Sequence, residues 1–531
     1  METPFWHKSK TTLYTSLLLS LSMALAGCMG EDSKARSNSS DTIVVNKIAD
    51  ITNESKDNYD DNVNGLITHK TLKKWIDNWE ANRPAGISGK LVIFQQAEGP
   101  AGAKFIKPNN KNVFTYVESG WLETRDDGVM NVPSMIVSGP SIDRLIRKYG
   151  IDVNKDMIVC AQGGSSAGNY MNQGRCWFTF SYWGVPQQQI ALLNGNNTHL
   201  QTTSLAFTDV LVDGVNASPI INQQKSSVKD LKADNTVLYA SVEDVINVLP
   251  YADAPNAGTG VMLWDARSIG EYSGYTAEWD AATENTTVLN TTSPAQLPNR
   301  GARQSHPRGA LNLQYTNLMD MGTGIYHNKK TLWNIVRGQA SPSHAEKQSF
   351  VSGGIDGDYQ PVQFGNAYQE GDVIYHYCET SMRAGVTIIA AGVILGIPSR
   401  LYDAAMVEWN SLTSGTVDHN GVALLPAGSI WDTELLSAPQ GVYSAGTINP
   451  RSAEGWAQEI GGTTTADDVL EGLLKSPLIT DAFAEHANKI PEEDKAYKQP
   501  KEVAENGSSN QGGGSSQSGG GSILPPNPCG G

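Results

Sequence analysis

Short apolar runs with the character of buried strands alternate with helical patterns along this chain, and the alternation occurs twice. In the first series Lys90-Leu91-Val92-Ile93-Phe94, Met157-Ile158-Val159-Cys160 and Ile190-Ala191-Leu192-Leu193 read as strands. Between and before them lie helical spacings: residues 69–82, with Leu72, Trp75, Ile76 and Trp79; residues 141–149, with Ile142, Leu145 and Ile146 on one face; and residues 175–183, ending at Gly184. A second series begins with a helix over 242–249. Gly260-Val261-Met262-Leu263-Trp264-Asp265 and Val373-Ile374-Tyr375-His376-Tyr377 follow as strands. Residues 384–395 are apolar on all sides, as in a buried helix that Gly396 stops, and Arg400-Leu401-Tyr402 feeds a last strand. Strand, helix, strand in this order specifies a parallel sheet with crossovers. The two series overlay: Asp156-Met157-Ile158-Val159 matches Asp372-Val373-Ile374-Tyr375, and Trp183-Gly184-Val185-Pro186 matches Leu395-Gly396-Ile397-Pro398. The reading is an α/β protein of two related domains, 64–235 and 236–415, each a parallel sheet flanked by helices. A C-terminal extension over 416–504 carries helical pieces near 466–475 and 480–488. Residues 505–531 form a Gly/Ser-rich flexible tail ending in Cys-Gly-Gly.

The N-terminus reads as an address. Lys8 and Lys10 precede an apolar run, 17–25, too short to remain as a membrane-spanning helix. The run ends in Leu25-Ala26-Gly27-Cys28, which resembles the lipobox of bacterial lipoproteins and implies cleavage before Cys28 and lipidation of that residue. The alternative is an ordinary secretory signal that contains a cysteine. Met29, where Asp favours inner-membrane retention in some bacteria, points to the outer membrane. Residues 28–63, rich in Ser, Asn, Asp and Lys, read as a disordered tether. The whole chain has 39 basic and 55 acidic residues, a formal charge of −16; the leader carries +1, so removing it leaves −17. Phosphate backbones would be repelled, and no nucleic-acid partner is expected.

Five cysteines in 531 residues cannot be a disulfide framework, so each is weighed singly. Cys378 ends a strand and precedes a helix, with Glu379, Thr380, Ser381 and Met382 between and Arg383 opening the helix. Amides at a helix N-terminus favour a thiolate and an anion in the turn, and Arg383 adds a full positive charge. A lone cysteine is by default an inert buried thiol. Here it has context. Tyr377-Cys378-Glu379-Thr380-Ser381-Met382-Arg383-Ala384 resembles the active-site loop of rhodanese-type sulfurtransferases. Leu263-Trp264-Asp265-Ala266-Arg267-Ser268 with Glu271-Tyr272-Ser273-Gly274 resembles that family's first strand and turn. Ser305-His306-Pro307-Arg308-Gly309-Ala310-Leu311-Asn312 resembles its Gly-His-Ile-Pro-Gly-Ala segment, and Tyr402-Asp403-Ala404-Ala405 with Glu408-Trp409 its closing pieces. The resemblance covers roughly 240–410 well and 85–200 more loosely.

The resemblance implies two rhodanese-like domains of tandem type, the second catalytic. Sulfane sulfur would pass from a small thiosulfate-, polysulfide- or persulfide-like donor to Cys378 as a persulfide, then to a thiol or cyanide-like acceptor, without a cofactor. Cys378 and Arg383 would be catalytic. Arg267, Glu379, Thr380, Ser381 and Met382 would bind substrate, Arg267 holding the donor's negative end, while Asp265 holds the turn. Gln162 falls where the first domain's cysteine would be, so that half is inactive. The chain departs from the family at Ser381, where related loops often carry Gly, at Glu379 and Thr380, where thiosulfate-type animal members are basic, and at Glu271, where mercaptopyruvate-type members have a second arginine. The donor pocket is therefore less positive than in either subfamily. The chemistry needs an ionised, reachable sulfur; a sealed one leaves a folded module.

Other readings have distinct marks. Cysteine-dependent phosphatases of similar fold space the pair as Cys-x5-Arg, and here it is Cys-x4-Arg. A non-catalytic rhodanese-like scaffold of an envelope complex, such as an electron-transfer conduit, fits Ser381, Glu379 and Ala404-Ala405. Cys160 and Cys176 either pair as a disulfide or stay inert thiols. Cys529, on a tail with a reach of about 25–30 Å, is either an unimportant tail residue or a mobile thiol that resolves the persulfide. No metal is expected: Asp152-Val153-Asn154-Lys155-Asp156 lacks the Gly and Glu of a calcium loop, and the histidines have no ligand spacing.

Overall fold

Each apolar run identified above becomes a central strand because it is covered on both faces. The computed structural model describes residues 43–96, 104–128, 131–203, 205–252, 260–273, 276–280, 285–290, 306–307, 309–342, 348–353, 359–409 and 488–499. The first half holds β1 (Gly65–Ile67), β2 (Leu91–Gln95), β3 (Val113–Val117), β4 (Met157–Cys160) and β5 (Ile190–Leu193), ordered β1-β5-β4-β2-β3. The second half holds β6 (Tyr239–Ala240), β7 (Val261–Asp265), β8 (Leu311–Asn312), β9 (Val373–Tyr377) and β10 (Ser399–Tyr402), ordered β6-β10-β9-β7-β8. The two orders are the same, and every pairing within each set of five is parallel. The second sheet continues into two antiparallel strands, Val351–Gly353 and Tyr359–Pro361. The described residues group as one compact unit, so the two sheets share a single body.

Several boundaries differ from the sequence expectation. The helix expected over 69–82 is two, His69–Asp77 and Trp79–Asn82, because Asn78 leaves the helical region and its side chain accepts the Ala81 N–H to cap the second. The helix expected over 175–183 begins earlier: α1 spans Ala167–Tyr182 and is capped by Ser166, whose hydroxyl accepts the Asn169 N–H. The buried helix after Cys378 is α2 (Ala384–Ile388), continuing as one wide π-turn over Ile389–Ile394. Donors from far up the chain reach its last carbonyls: Asn53 N–H to Gly392 O and Ser55 N–H to Ile394 O.

Those donors belong to the segment expected to be a tether. From Ile43 that segment is ordered instead. Val44–Val45 pairs with Ala233–Asp234, Ile51 is buried, and Tyr59 Oη donates to His327 O. Ile51 joins the core, with Ile48 and Tyr59 packed against it, while Val44 and Val45 stay exposed and pair through their backbone. A last helix, α3 (Lys489–Lys498), returns to the first half, where Asp494 accepts both Nη groups of Arg125 at 2.9 Å and the Tyr182 hydroxyl at 2.8 Å. The leader, Cys28, the first part of the tether, the helix expected near 466–475, most of that near 480–488, and the tail with Cys529 lie outside the described residues. Among the described residues no helix is long and apolar enough to cross a membrane.

Candidate active site

In a parallel α/β sheet, functional groups gather beyond the carboxyl ends of the strands. Four turns of the second half meet there: Asp265–Arg267 after β7, Asn312 ending β8, Cys378–Arg383 after β9, and Asp403 after β10. Asn312 ties the first two together, its Nδ2 donating to Asp265 O at 3.1 Å and Arg267 O at 2.8 Å. The last two are tied by backbone: Met406 N–H donates to Cys378 O and Val407 N–H to Glu379 O, both at 3.2 Å. Among the described residues Cys378 is the cysteine not joined in a disulfide.

The charged groups are arranged differently from the resemblance's expectation. Arg267, expected to face a donor, has no exposed surface. Its Nε and Nη2 bond both oxygens of Asp265, at 2.6–3.1 Å, and its Nη1 reaches Glu379 Oε2 at 3.2 Å. Burial acts against its charge, and Asp265 and Glu379 outweigh that, so its pKa rises further above the usual guanidinium value. Arg383, expected beside the sulfur, closes its fork on Glu271 with two bonds of 2.6 Å. Burial opposes ionisation of Glu271, but Arg383, with Arg267 and the Ser268 hydroxyl, holds its carboxyl down at about 2. Both arginines are thus committed to carboxylates within the fold.

The turn itself is closed. Cys378 is 0 % exposed, and Glu379, Thr380, Ser381 and Met382 are buried with it. Ser381 adopts φ 56°, the left-handed region that favours glycine, and its hydroxyl donates to Tyr402 O at 2.6 Å. Ala405 does the same at φ 55° on the facing turn. Two strained residues opposite each other are held by the packing around them. The loop residues expected to bind substrate therefore have intramolecular partners or are enclosed in this state.

The corresponding edge of the first half carries no thiol nucleophile. Gln162 is buried and donates to Gly324 O at 2.7 Å and Gln173 Oε1 at 3.2 Å. Cys160, at the end of β4, is joined to Cys176 in α1, with Cα atoms 6.0 Å apart. Closing a 16-residue separation contributes about 3 kcal/mol in the chain-entropy account.

In this region Arg175 and His376 had no signal in the sequence as site residues, and Asp403 stood in the closing segment of the resemblance with no role assigned to it. Arg175 in α1 and Asp403 form an ion pair between the halves, fully buried, at 2.5 Å. His376 in β9 sits between the Thr387 and Ser399 hydroxyls, at 2.9 and 3.1 Å. Burial pushes its pKa down to about 3. The unfolded chain binds a proton near 6.5 that the fold refuses, so stability falls as pH drops from 6.5 toward 3. The expected slope is about 1.4 kcal/mol per pH unit, or ~2.5 kcal/mol lost by pH 4.5. Urea unfolding at pH 7 and 4.5 checks this: His376→Gln should lose that much less between the two, and an unchanged difference would refute the assignment.

No protein-family model matches the chain, and no curated protein sequence matches it. Solved structures do show similarity. The Tum1 protein from Saccharomyces cerevisiae is 16% identical, over 70% of this chain and 98% of that one, with a TM-score of 0.39. The 3-mercaptopyruvate sulfotransferase SseA from Escherichia coli is 15% identical, over 64% and 98%, with a TM-score of 0.39. The 3-mercaptopyruvate sulfurtransferase from Leishmania major is 10% identical, over 66% and 74%, with a TM-score of 0.37. No residue role follows from similarities this low.

Proposed function

We propose that this chain is a rhodanese-type sulfur carrier of the bacterial cell envelope, anchored to the outer membrane through a lipid on Cys28, with Cys378 as its nucleophile. The observation that carries the reading is the place of Cys378: a thiol outside any disulfide, directly after β9, among the turns that follow β7, β8 and β10. In the first half-reaction the thiolate attacks the outer sulfur of a donor persulfide. The donor's S–S bond breaks, its thiolate leaves, and Cys378 becomes a persulfide. In the second, an acceptor thiolate takes that outer sulfur and Cys378 leaves as thiolate. Sulfur moves without net oxidation, in two nucleophilic steps. The closed turn is the resting form and parts to admit the donor.

Burial of the thiol favours a second reading, a silent rhodanese-like scaffold of an envelope complex. Intact mass after incubation with polysulfide separates the two. In a Cys529→Ser background, a gain of one sulfur that disappears in Cys378→Ser supports the carrier. No gain selects the scaffold. If Cys529 is the resolving thiol, turnover with a protein-thiol acceptor falls in Cys529→Ser; unchanged turnover removes that role.

A further inference from the structure

Among the described residues, and apart from the balanced Arg175–Asp403 pair, two guanidinium groups at the Cys378 turn face three carboxylates. Asp265 and Glu379 share Arg267, and Glu271 holds Arg383. Asp265 alone already engages Arg267 through Nε and Nη2, so Glu379 brings a formal negative charge beyond what the arginines balance. It does so from the residue next to Cys378, at a site screened from water, where charge acts at longer reach than in solution. A second observation points the same way. Glu379 Oε2 has Arg267 as its partner, but Oε1 is buried and accepts no hydrogen bond among the described residues. A buried acceptor without a donor calls for an explanation, and a ligand that supplies the hydrogen is one.

We propose that Glu379 is a specificity-determining residue: it turns the Cys378 site away from anionic sulfur donors and toward neutral or cationic persulfides, R–S–SH. The assignment rests on the sulfur-carrier reading. The protonated persulfide offers its S–H to Glu379 Oε1, which aims the outer sulfur at Cys378. The Cys378 thiolate attacks that sulfur, the donor S–S bond breaks, and R–S⁻ leaves. The proton stays on the transferred sulfur, giving Cys378–S–SH. A donor carrying a carboxylate or sulfonate end meets the uncompensated charge and finds both arginines occupied.

The test uses the full chain and three small donors whose end groups carry different charges, the hydropersulfides of cysteamine, 2-mercaptoethanol and mercaptoacetate, with thiosulfate as a fourth; comparison with Glu379→Gln separates the charge effect from differences in leaving thiol. Sulfur on the Cys378 peptide is followed by mass spectrometry. Loading should be fastest from the cysteamine and 2-mercaptoethanol persulfides, and at least about tenfold slower from mercaptoacetate persulfide and from thiosulfate. Glu379→Gln, which keeps the shape and removes the charge, should shrink that gap by about tenfold. The donor series on the unmodified chain stands even if the variant folds poorly. Equal loading from all donors, or a gap that Glu379→Gln leaves unchanged, overturns the specificity and leaves the carrier standing. No sulfur on Cys378 from any donor removes the carrier and the specificity with it.

Discussion

Asp403→Ala is expected to lower the free energy of unfolding by about 3–5 kcal/mol. Asp403 has no exposed surface. It accepts Arg175 Nη1 at 2.5 Å, Arg175 Nη2 at 3.3 Å and the Ile136 N–H at 2.6 Å. Arg175 and Ile136 belong to the first half and Asp403 to the second, so this one carboxylate joins the two sheets' layers. Without it, the Arg175 guanidinium is left as a buried charge, with Ser134 O at 3.3 Å and the Phe178 ring, its centroid at 5.2 Å, as its neighbours. Arg175→Met is expected to cost less, about 2 kcal/mol, because Asp403 keeps the Ile136 N–H as a donor. The double variant should recover part of the Asp403→Ala loss, since a buried pair replaced by apolar groups is close to neutral. Chemical unfolding of the two single variants and the double variant gives the coupling directly. A loss under about 1 kcal/mol for Asp403→Ala would mean that the halves are held together elsewhere.

That pair also shows where sequence reading stops. Strands β2, β4, β5, β7, β9 and β10 were visible because a buried strand needs an unbroken apolar run, and each run is local. The duplication was visible because the left-handed glycines Gly184 and Gly396 recur at the same step after a helix. Arg175 and Asp403, by contrast, are 228 positions apart, and the Arg383–Glu271 pair is 112 apart. Nothing in either neighbourhood announces its partner. Arg383 stood out as a cation close to Cys378 in the sequence and Arg267 through the family resemblance, and together they suggested an anion site. Their carboxylates stood in the same sequence, at Asp265, Glu271 and Glu379, but only the fold says which charge closes on which. The ordered stretch from Ile43 to Asn62 was missed for a related reason. Its composition is that of a linker, and its packing is supplied by donors and acceptors on both halves.

Gly174→Val is expected to cost at least about 3 kcal/mol and to expose Cys378. Gly174 lies within α1, and a Cβ there would sit 2.3 Å from Gly385 O, 2.5 Å from its carbonyl carbon and 2.8 Å from its Cα. These are backbone atoms of α2, the helix that the Cys378 turn feeds, so no side-chain rotation can relieve the clash. Gly385 answers from the other side, where an added Cβ would meet Gly174 C and Cα at 3.5 Å. Gly174 is thus the position that lets the backbones of α1 and α2 cross this closely, while Gly385 has just enough room for a Cβ. Intrinsic preference runs the opposite way, because valine is better tolerated in a helix than glycine by a few tenths of a kcal/mol. A large loss therefore reports the crossing itself. Valine forces α1 from α2, and a buried thiol that reacts through local opening then reacts faster, by about tenfold for each ~1.4 kcal/mol taken from the closed state. Iodoacetamide labelling followed on the Cys378 peptide should rise at least tenfold in Gly174→Val by that relation, with Gly174→Ala intermediate. If valine is accepted with less than about 1 kcal/mol lost and labelling unchanged, the α1–α2 crossing does not hold the turn closed, and the seal over Cys378 lies in the contacts that residues 402–409 make with it.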